Sequence, residues 1–337
     1  YYKASIYITN VFFWMEQFDF WSSFSQRVAT IYLPNYKRPL LPTILSNDLC
    51  SLIEGQDRFA FAMDFYIDES GIILKDENGS ERIEYKNVLI NVNKNYHYED
   101  PKMIAKNKNY QMLFMITQKM DKTTVDSHDL VTYWMIQMNK FCGKYMAENK
   151  IGIFRSTYFL HSQEKRPLED LIDSNLCNET KRVITNWNHL SGQYMLYSEN
   201  ANLKHEIMQI SGYIHITSPI RRLVDLLNQL MFIHHNGMID NLSDSAKEFL
   251  ERWTSKMDYI NTSMRSIRKI QTDCEVMKRC FEDPNIMNNE YEGVIFDKIA
   301  KTDGLNTYMV YLEKLKLLSR ITTHIELTNY KIGRAHV

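Results

Sequence analysis

The chain has 337 residues, 44% of them hydrophobic and 24% charged, which is enough to bury one large core or two smaller ones. Its formal net charge of −1 excludes a global basic field, so any nucleic-acid site has to be local. The five cysteines form no C-x-x-C pair, which argues against a zinc site and favours reduced thiols in a cytoplasmic protein. No apolar run is long enough to span a membrane, and we expect no membrane association.

The first part of the chain predicts a sheet. Lys3–Val11 alternates between polar and apolar residues, and Arg58–Asp68 has an apolar residue at every second position, as strands with one buried face do. The Asn78-Gly79 pair, between two further strand-like runs, predicts a tight hairpin turn. Between the first two strands, the aromatic segment Trp14–Phe24 has helical spacing, which predicts packing into a core.

The second part of the chain is mainly helical in pattern. Asp126–Glu148 and Met257–Phe281 carry the apolar periodicity of long helices with one buried face. Ser245 followed by Glu248 is a capping box, which predicts the start of another helix between them. Gly152–Arg155 predicts a short strand.

Two adjacent arginines stand where a helix is predicted to begin. Thr217 or Ser218 can cap the helix, and Pro219 suits its first position. Arg221 and Arg222 then fall in the first turn, where the helix dipole disfavours a cation by about 0.3–1 kcal/mol. Free amides and two forked guanidiniums predict an anion there, and a phosphate fits best. The alternative is that the arginines pair with acidic side chains from elsewhere in the fold.

The same stretch carries a family resemblance. Tyr213–Arg222 reads Y-I-H-I-T-S-P-I-R-R and resembles the signature Y-x-H-F-T-S-P-I-R-R of the ribonuclease II and ribonuclease R family, which shares the RNB domain. Ile31–Leu52 is similar to the family's run of Y-L-P, M-L-P, L-S and L-C-S-L, and His205 matches a histidine ahead of the signature. Together these segments cover most of residues 1–282 in the family's order.

The resemblance implies an α+β fold in which a mixed, mainly antiparallel sheet packs with long helices. Residues 1–286 would form an RNB nuclease domain, and residues 287–331 would begin an oligonucleotide-binding (OB) barrel. Residues 332–337 resemble a translated sequencing adapter, and we exclude them from the fold prediction. Because the chain opens on Tyr1 inside a strand pattern, we expect it to be a fragment that lacks the start of the nuclease domain.

The resemblance also implies a processive 3′-to-5′ exoribonuclease that hydrolyses single-stranded RNA with Mg²⁺ (magnesium). The family's metal ligands are aspartates of a D-x-D-D-type motif just ahead of the first strand, which would precede Tyr1. We therefore assign no metal ligand in this sequence and expect the chain alone to be inactive. Asn10 stands at the next aspartate of the family pattern, so no catalytic or metal role is carried over to that position.

Individual residues follow from the resemblance. Arg221 and Arg222 would be catalytic, stabilising charge on the scissile phosphate. Tyr98-Glu99 matches a tyrosine and an acidic residue that clamp RNA in the family; the structural alternative is a tyrosine half-buried against Leu113 or Phe114. The full set of RNA-binding candidates is Tyr98, Glu99, Arg155, Thr217, Ser218 and Glu275.

Two further hypotheses remain open beside the enzyme. One is an RNB-shaped protein that binds RNA without cleaving it, a hypothesis that Asn10 favours. The other is an interaction scaffold in an RNA-decay assembly, with no RNA affinity of its own; its protein partners cannot be named from the sequence. The wording I-Y-I-T-N-V at Ile6–Val11 is similar to that of members from large DNA viruses.

Overall fold

The computed structural model describes residues 1–156, 171, 174–190, 192–199, 203–205, 210–300 and 304–335. The fold is α+β, as predicted, with long helices packed on antiparallel sheets. The helices are α1 (Val11–Gln17), α2 (Pro101–Lys106), α3 (Lys108–Met120), α4 (Ser127–Glu148), α5 (Asn178–Leu190), α6 (Leu223–His235), α7 (Asp244–Thr254) and α8 (Met257–Glu282). The strands are β1 (Tyr2–Thr9), β2 (Ile31–Leu33), β3 (Tyr36–Arg38), β4 (Asp57–Ile67), β5 (Ile83–Asn91), β6 (Ile153–Ser156), β7 (Gln193–Leu196), β8 (Lys204–His205), β9 (Ile210–Ser211), β10 (Tyr291–Ala300), β11 (Asn306–Leu312), β12 (Leu317–Thr323) and β13 (Ile332–Ala335). Within these ranges we find no helix whose length and apolar character would let it cross a membrane.

Strand β4 is the centre of the N-terminal sheet and lies antiparallel between β1 and β5. Its alternating apolar side chains are fully buried, as predicted: Phe61, Met63, Phe65 and Ile67. Helices α4 and α6 cover this face of the sheet. The Phe65 ring meets Trp134 at a centroid distance of 5.2 Å, and the Phe61 ring meets Phe232 at 5.3 Å. The sheet and these two helices form the main core of the protein.

Two local predictions in this region are confirmed. The hairpin turn between β4 and β5 is present, and the Asp76 amide donates to the Ser80 carbonyl across it at 2.8 Å. Gly79 has a φ of +79°, a backbone conformation that glycine adopts without strain. Helix α4 begins where expected, because the Asp126 side chain accepts a hydrogen bond from the Asp129 amide at 3.0 Å and caps the helix.

The predicted capping box of α7 is wrong by two residues. Ser243, not Ser245, is the N-cap, and its hydroxyl accepts from the Ala246 amide at 3.2 Å. A contact with α1 decides this, since the Ser243 amide and hydroxyl both donate to the Glu16 carboxylate, at 2.7 and 3.0 Å. The Ser245 hydroxyl donates to Asp19 instead. A tertiary hydrogen bond therefore fixes which serine starts the helix.

The C-terminal segment forms a four-stranded antiparallel sheet in the order β12-β11-β10-β13. Its apolar side packs against residues around α5, in a cluster that includes Leu176, Ile184, Phe296 and Tyr311. Strand β13, which overlaps the tail that we left out of the fold prediction, pairs with Tyr291–Val294 along the edge of this sheet. The boundary between a nuclease domain and an OB barrel near residue 286 stays a prediction.

Candidate functional site

The signature motif forms a turn rather than the first turn of a helix. Helix α6 begins at Leu223, and Arg222 is its N-cap residue, with an extended backbone at φ −136° and ψ 127°. The predicted start at Pro219 is therefore wrong by four residues. The Arg221 and Arg222 amides both donate to the Ser218 carbonyl, at 3.1 and 3.0 Å, which closes the turn ahead of the helix.

Pairing with a distant segment explains why the helix starts late. The Leu223 amide donates to the Val28 carbonyl at 2.9 Å, and the Thr30 amide donates to the Arg221 carbonyl at 2.9 Å. These bonds, with a bridge between Ala29 and Arg222, hold Arg222 in an extended conformation at the end of the turn. Local capping signals could not reveal this long-range pairing. It fixes the backbone of the turn on both sides.

The Arg222 guanidinium is engaged by the helix that it caps. Its Nε lies 2.8 Å from Asp225 Oδ2, and an Nη atom donates to Asp225 Oδ1 at 2.8 Å. Asp225 is fully buried and also accepts from the Ser218 amide at 2.7 Å. Burial is the largest influence on the Arg222 pKa and lowers it, but the Asp225 charge and hydrogen bond raise the pKa above its ordinary value. For Arg222, the ion-pair alternative is the one that the structure supports.

Arg221 differs from its neighbour. Its side chain is exposed, and within the described part of the chain it makes no ion pair or hydrogen bond. Its backbone is nevertheless held at both ends, by Ser218 and by Thr30. Nearby, the Thr217 hydroxyl oxygen is buried without a hydrogen-bond partner among the described residues. A rigid turn thus presents one available guanidinium, with a buried hydroxyl of the same turn close to it in sequence.

Buried amide side chains behind the turn hold in place the extended segment that leads into it. Asn139 on α4 donates to the Tyr213 hydroxyl at 3.0 Å and accepts from the Ile216 amide at 3.1 Å. Asn228 on α6 donates to the carbonyls of Ile153 and His215, both at 2.9 Å. Sequence reasoning gave neither asparagine a role at the site. The available signal was a polar residue on the apolar face of each helix, which predicts a buried hydrogen-bond partner.

Arg155 does not reach the surface, contrary to its predicted contact with RNA phosphate. It is 3% exposed, and its guanidinium lies over the Tyr194 ring at 4.6 Å. Burial lowers the pKa of Arg155 to about 10. The Tyr194 hydroxyl lies 2.7 Å from His215 Nδ1, so this arginine supports the signature strand from inside the protein.

Tyr98 lies on the protein surface, and the ring contact that the structure shows is with His128. The Tyr98 side chain is 52% exposed and stacks on His128 of α4, with ring centroids 3.7 Å apart and planes 16° apart. Stacking on His128 holds the ring in a fixed orientation. An exposed aromatic face that is held in this way is a suitable platform for a nucleobase.

The Glu99 carboxylate is hydrogen-bonded to the first residue of α4. Its carboxylate accepts from the Ser127 amide at 2.8 Å and from the Ser127 hydroxyl at 2.6 Å. Its backbone has a φ of +57°, a left-handed conformation that costs a non-glycine residue about 1–3 kcal/mol and that these bonds offset. Glu99 therefore positions Tyr98 at the start of α4.

Glu275 is not brought to the signature turn. It lies on α8 and pairs with Arg279 of the same helix, with Arg279 Nε 3.0 Å from Glu275 Oε1. Ser218, another RNA-binding candidate, is half-buried in the turn itself and contributes its amide to Asp225. Of the candidates, Thr217, Ser218, Arg221 and Arg222 come together in the signature turn, and the buried Arg155 lies behind it, near enough for its charge to interact with that of Arg222.

Comparison with known proteins identifies the family. The family model of the RNB domain matches residues 11–113 and 103–236, which together make up more than half of the chain. The chain belongs to the RNB domain family. Ribonuclease R of Mycoplasma genitalium is 25% identical over 296 residues, which cover 67% of this chain and 40% of that protein. Ribonuclease R of Thermotoga maritima is 34% identical over 76 residues, 23% of this chain and 11% of that protein. The chain thus spans less than half the length of these relatives.

Solved structures of other proteins share the RNB fold. The apo form of Mycoplasma genitalium ribonuclease R has a TM-score of 0.65 at 17% identity, covering 94% of this chain and 58% of that one. An active-site mutant of the Dss1 exoribonuclease from Candida glabrata has a TM-score of 0.66 at 16% identity, covering 98% and 48%. Yeast Ssd1, a pseudonuclease, has a TM-score of 0.59 at 11% identity, covering 87% and 42%. Active and inactive proteins therefore have this fold in common.

Asn10, at which the resemblance places a family aspartate, has a structural role in the fold. Asn10 is buried and caps α1, accepting from the Phe13 amide at 3.0 Å and donating to Asn87 at 3.0 Å. Among the described residues, no three His, Cys, Asp or Glu side chains come together as a metal site would require. These residues therefore do not fit the Mg²⁺ that the resemblance implies.

Proposed function

We propose that this RNB protein binds the end of a single-stranded RNA at the signature turn and forms part of a 3′-to-5′ exoribonuclease. The observation that supports this is the contrast between two neighbouring arginines. Arg222 is locked to Asp225, whereas Arg221 extends from the same fixed backbone with no partner in the described structure. A planar guanidinium without a carboxylate matches the two-oxygen geometry of a phosphate.

Each group at the turn has a part in this proposal. Arg221 binds the phosphate, and the Arg222–Asp225 pair keeps the turn in the shape that presents it. Tyr98 supplies a base platform, and such stacking contributes about 1–3 kcal/mol per base without selecting a sequence.

Relatives support RNA as the ligand class. Mycoplasma genitalium ribonuclease R has been solved with ribose-methylated single-stranded RNA, at a TM-score of 0.65 to this chain and 18% identity, and with double-stranded RNA, at 0.60 and 16%. We favour a single strand for this protein because Tyr98 offers an exposed ring face, and a base can stack on it only when it is free of its duplex neighbours.

Hydrolysis belongs to the proposal for the whole protein. It would use Mg²⁺ held by carboxylates outside the described residues, since those present here form no such cluster. The role of the described residues is to bind the RNA and orient it. The Arg221 guanidinium faces the negative charge of the phosphate, and the fixed turn keeps that guanidinium in one place.

A binding experiment tests the proposal. The purified chain is titrated with labelled oligouridine and with a duplex of the same length, by filter binding, at low and high salt. We expect weak binding of the single strand, lower affinity for the duplex, and a loss of affinity as salt rises. Equal affinity at both salt concentrations, or a preference for the duplex, contradicts the proposal. If the chain binds no RNA at all, the interaction-scaffold hypothesis replaces the proposed function.

A second candidate function is RNA binding without cleavage, and Asn10 is the observation that favours it. The side chain at this position is a buried amide that caps a helix and pairs with Asn87, not a carboxylate available to a metal. Joining the family's aspartate-bearing segment ahead of Tyr1 distinguishes the two functions. Release of nucleotides by the joined protein supports the enzyme, and tight RNA binding without any release supports the second candidate.

A further inference from the structure

A basic groove lies apart from the signature turn, at the junction of α2 and α3. It has a volume of about 510 Å³ and is lined by Lys94, Tyr96, Lys102, Lys106, Asn107 and Lys108 with one further asparagine. No acidic residue lines it. In a chain whose formal net charge is −1, four lysines around one groove are a marked local excess of positive charge.

Two of these lysines have positions that the helix dipole does not favour, since Lys102 is the second residue of α2 and Lys108 the first of α3, whereas Lys106 lies in the last turn of α2, where the dipole favours a cation. Lys102 and Lys106 are four residues apart on α2, so they lie on one face and repel each other. None of the three makes an ion pair within the described part of the chain. Such positions become favourable when an anion fills the groove.

The nearby acidic groups are already engaged. Glu54 pairs with Lys94, Oε1 to Nζ at 2.8 Å, and also accepts from the Asn95 amide at 3.1 Å. Asp100 caps α2, accepting from the Lys102 amide at 2.8 Å. Neither carboxylate lines the groove, and Lys94 is paired with one of them, so the charges of Lys102, Lys106 and Lys108 are left for a ligand.

An aromatic ring lies beside these lysines. Tyr96 is 40% exposed, and its hydroxyl accepts a hydrogen bond from Asn107 Nδ2 at 3.2 Å, which ties the ring to the α2–α3 junction. A positively charged groove with an aromatic side chain is the combination that sequence-tolerant single-strand binding uses. An acidic peptide would be held by the lysines but would leave the ring without a stacking partner.

We propose that this groove, which we call the lysine groove, binds the sugar-phosphate backbone of the RNA strand that stacks a base on Tyr98. This inference rests on the proposed function and extends it along the strand. Tyr96 and Tyr98 are two residues apart in one loop, so their Cα atoms lie within about 7 Å of each other. An RNA strand stacked on Tyr98 therefore needs to continue by only a nucleotide or so to reach the lysine groove.

Variants in which the lysine charges are removed test the proposal. The groove variant carries Lys102→Gln, Lys106→Gln and Lys108→Gln. Its matched control carries Lys75→Gln, Lys122→Gln and Lys140→Gln, three exposed lysines outside the groove. Both sets lie on the surface, so neither should unfold the protein, and circular dichroism checks this. Each protein is titrated with a short oligouridine, which covers only the end site, and with a long one.

The expected result is a loss that depends on RNA length. For the long oligouridine, the groove variant should lose roughly tenfold in affinity at low salt, and the slope of log affinity against log salt should fall by about 2, since each lost phosphate contact removes about 0.7. The short oligouridine should bind the groove variant and the control equally.

Three outcomes would overturn the proposal, and they are distinguishable. Equal binding of the long oligouridine by the groove variant and the control removes the lysine groove from the RNA path and leaves the end site intact. Loss of polyglutamate binding in the groove variant, with RNA binding unchanged, assigns the groove to an acidic protein. Failure of the unmodified protein to bind either oligouridine overturns the proposed function together with this extension.

Discussion

Arg222 and Asp225 form a two-contact ion pair across the N-terminus of α6, with both nitrogen-to-oxygen distances at 2.8 Å. Asp225 does three things from one buried position: it balances the Arg222 charge, it accepts the Ser218 amide, and it places an acidic group in the first turn of the helix, where the dipole favours it. One carboxylate thus joins the signature turn to its helix. The stability of the protein and the position of Arg221 both depend on it.

Removing that carboxylate should destabilise the whole protein. Asp225→Asn leaves the Arg222 charge buried without its counter-charge, which typically costs about 3–5 kcal/mol of unfolding free energy. Urea denaturation followed by circular dichroism measures the change. The matched control is Asp244→Asn, which breaks another i,i+3 pair, with Lys247 at 2.9 Å, where the Asp244 side chain is 95% exposed.

The control should leave the urea midpoint almost unchanged, because exposed ion pairs contribute little. If Asp225→Asn behaves like Asp244→Asn, the buried pair is not what holds the turn. The explanation for the late start of α6 would then rest on the pairing with Val28 and Thr30 alone.

Elements with strong local periodicity could be predicted from the sequence. Strand β4 has an apolar residue at every second position, and α4 combines an Asp126 cap with a long apolar face, so both elements form as expected. Burial of an alternating or helical face is the main stabilising term for such elements, and it depends only on residue spacing.

The site itself was less predictable, because long-range contacts override local signals there. Pro219 after Ser218 is a good helix start in isolation, but pairing with Val28 and Thr30 keeps residues 219–221 in a turn and Arg222 extended, which delays the helix to Leu223. Capping by Ser243 is decided by Glu16, more than two hundred residues away in the chain. Such choices depend on which distant polar group is near, and no window of sequence contains that information.

Substituting the two signature arginines by lysine should separate binding from folding. Arg221→Lys should weaken RNA binding, since lysine offers a point charge in place of a fork. Its unfolding free energy should change by less than about 0.5 kcal/mol, because the side chain is exposed and makes no ion pair or hydrogen bond within the described residues. Arg222→Lys should do the reverse, losing stability through the Asp225 contacts. Urea denaturation and filter binding on both variants give the comparison, and identical behaviour of the two would refute the division of roles.

Tyr98 should act through its ring alone. Tyr98→Ala should weaken binding of a short oligouridine by about 1–3 kcal/mol, which is roughly 5- to 150-fold, because one stacked base is lost. Tyr98→Phe keeps the ring on His128 and should bind nearly normally. Filter binding of both variants measures the difference. If alanine and phenylalanine at this position bind RNA equally well, the base does not stack there and Tyr98 leaves the proposed site.

The last prediction is that this chain alone releases no nucleotides from RNA at any Mg²⁺ concentration. Hydrolysis of a phosphodiester by a Mg²⁺ enzyme requires several oxygen ligands around one point to place the metal and its water. Among the described residues the carboxylates are dispersed or engaged: Asp64 pairs with Lys3 at 2.7 Å, Asp225 with Arg222, and Glu275 with Arg279. Asn10, at which the resemblance places a family aspartate, is a buried amide.

The assay is shortening of a 5′-labelled oligouridine, followed on a denaturing gel over a range of Mg²⁺ with and without EDTA. With the unmodified chain, the labelled oligouridine should stay at full length at every Mg²⁺ concentration. The same chain should still bind this RNA in a parallel filter assay. Joining the family's D-x-D-D segment ahead of Tyr1 should produce a ladder of shorter products, and changing one of its aspartates to asparagine should abolish that ladder. Shortening by the unmodified chain that EDTA abolishes and that Arg221→Ala also removes would contradict the prediction. It would mean that residues of this chain itself assemble a metal site around the signature turn.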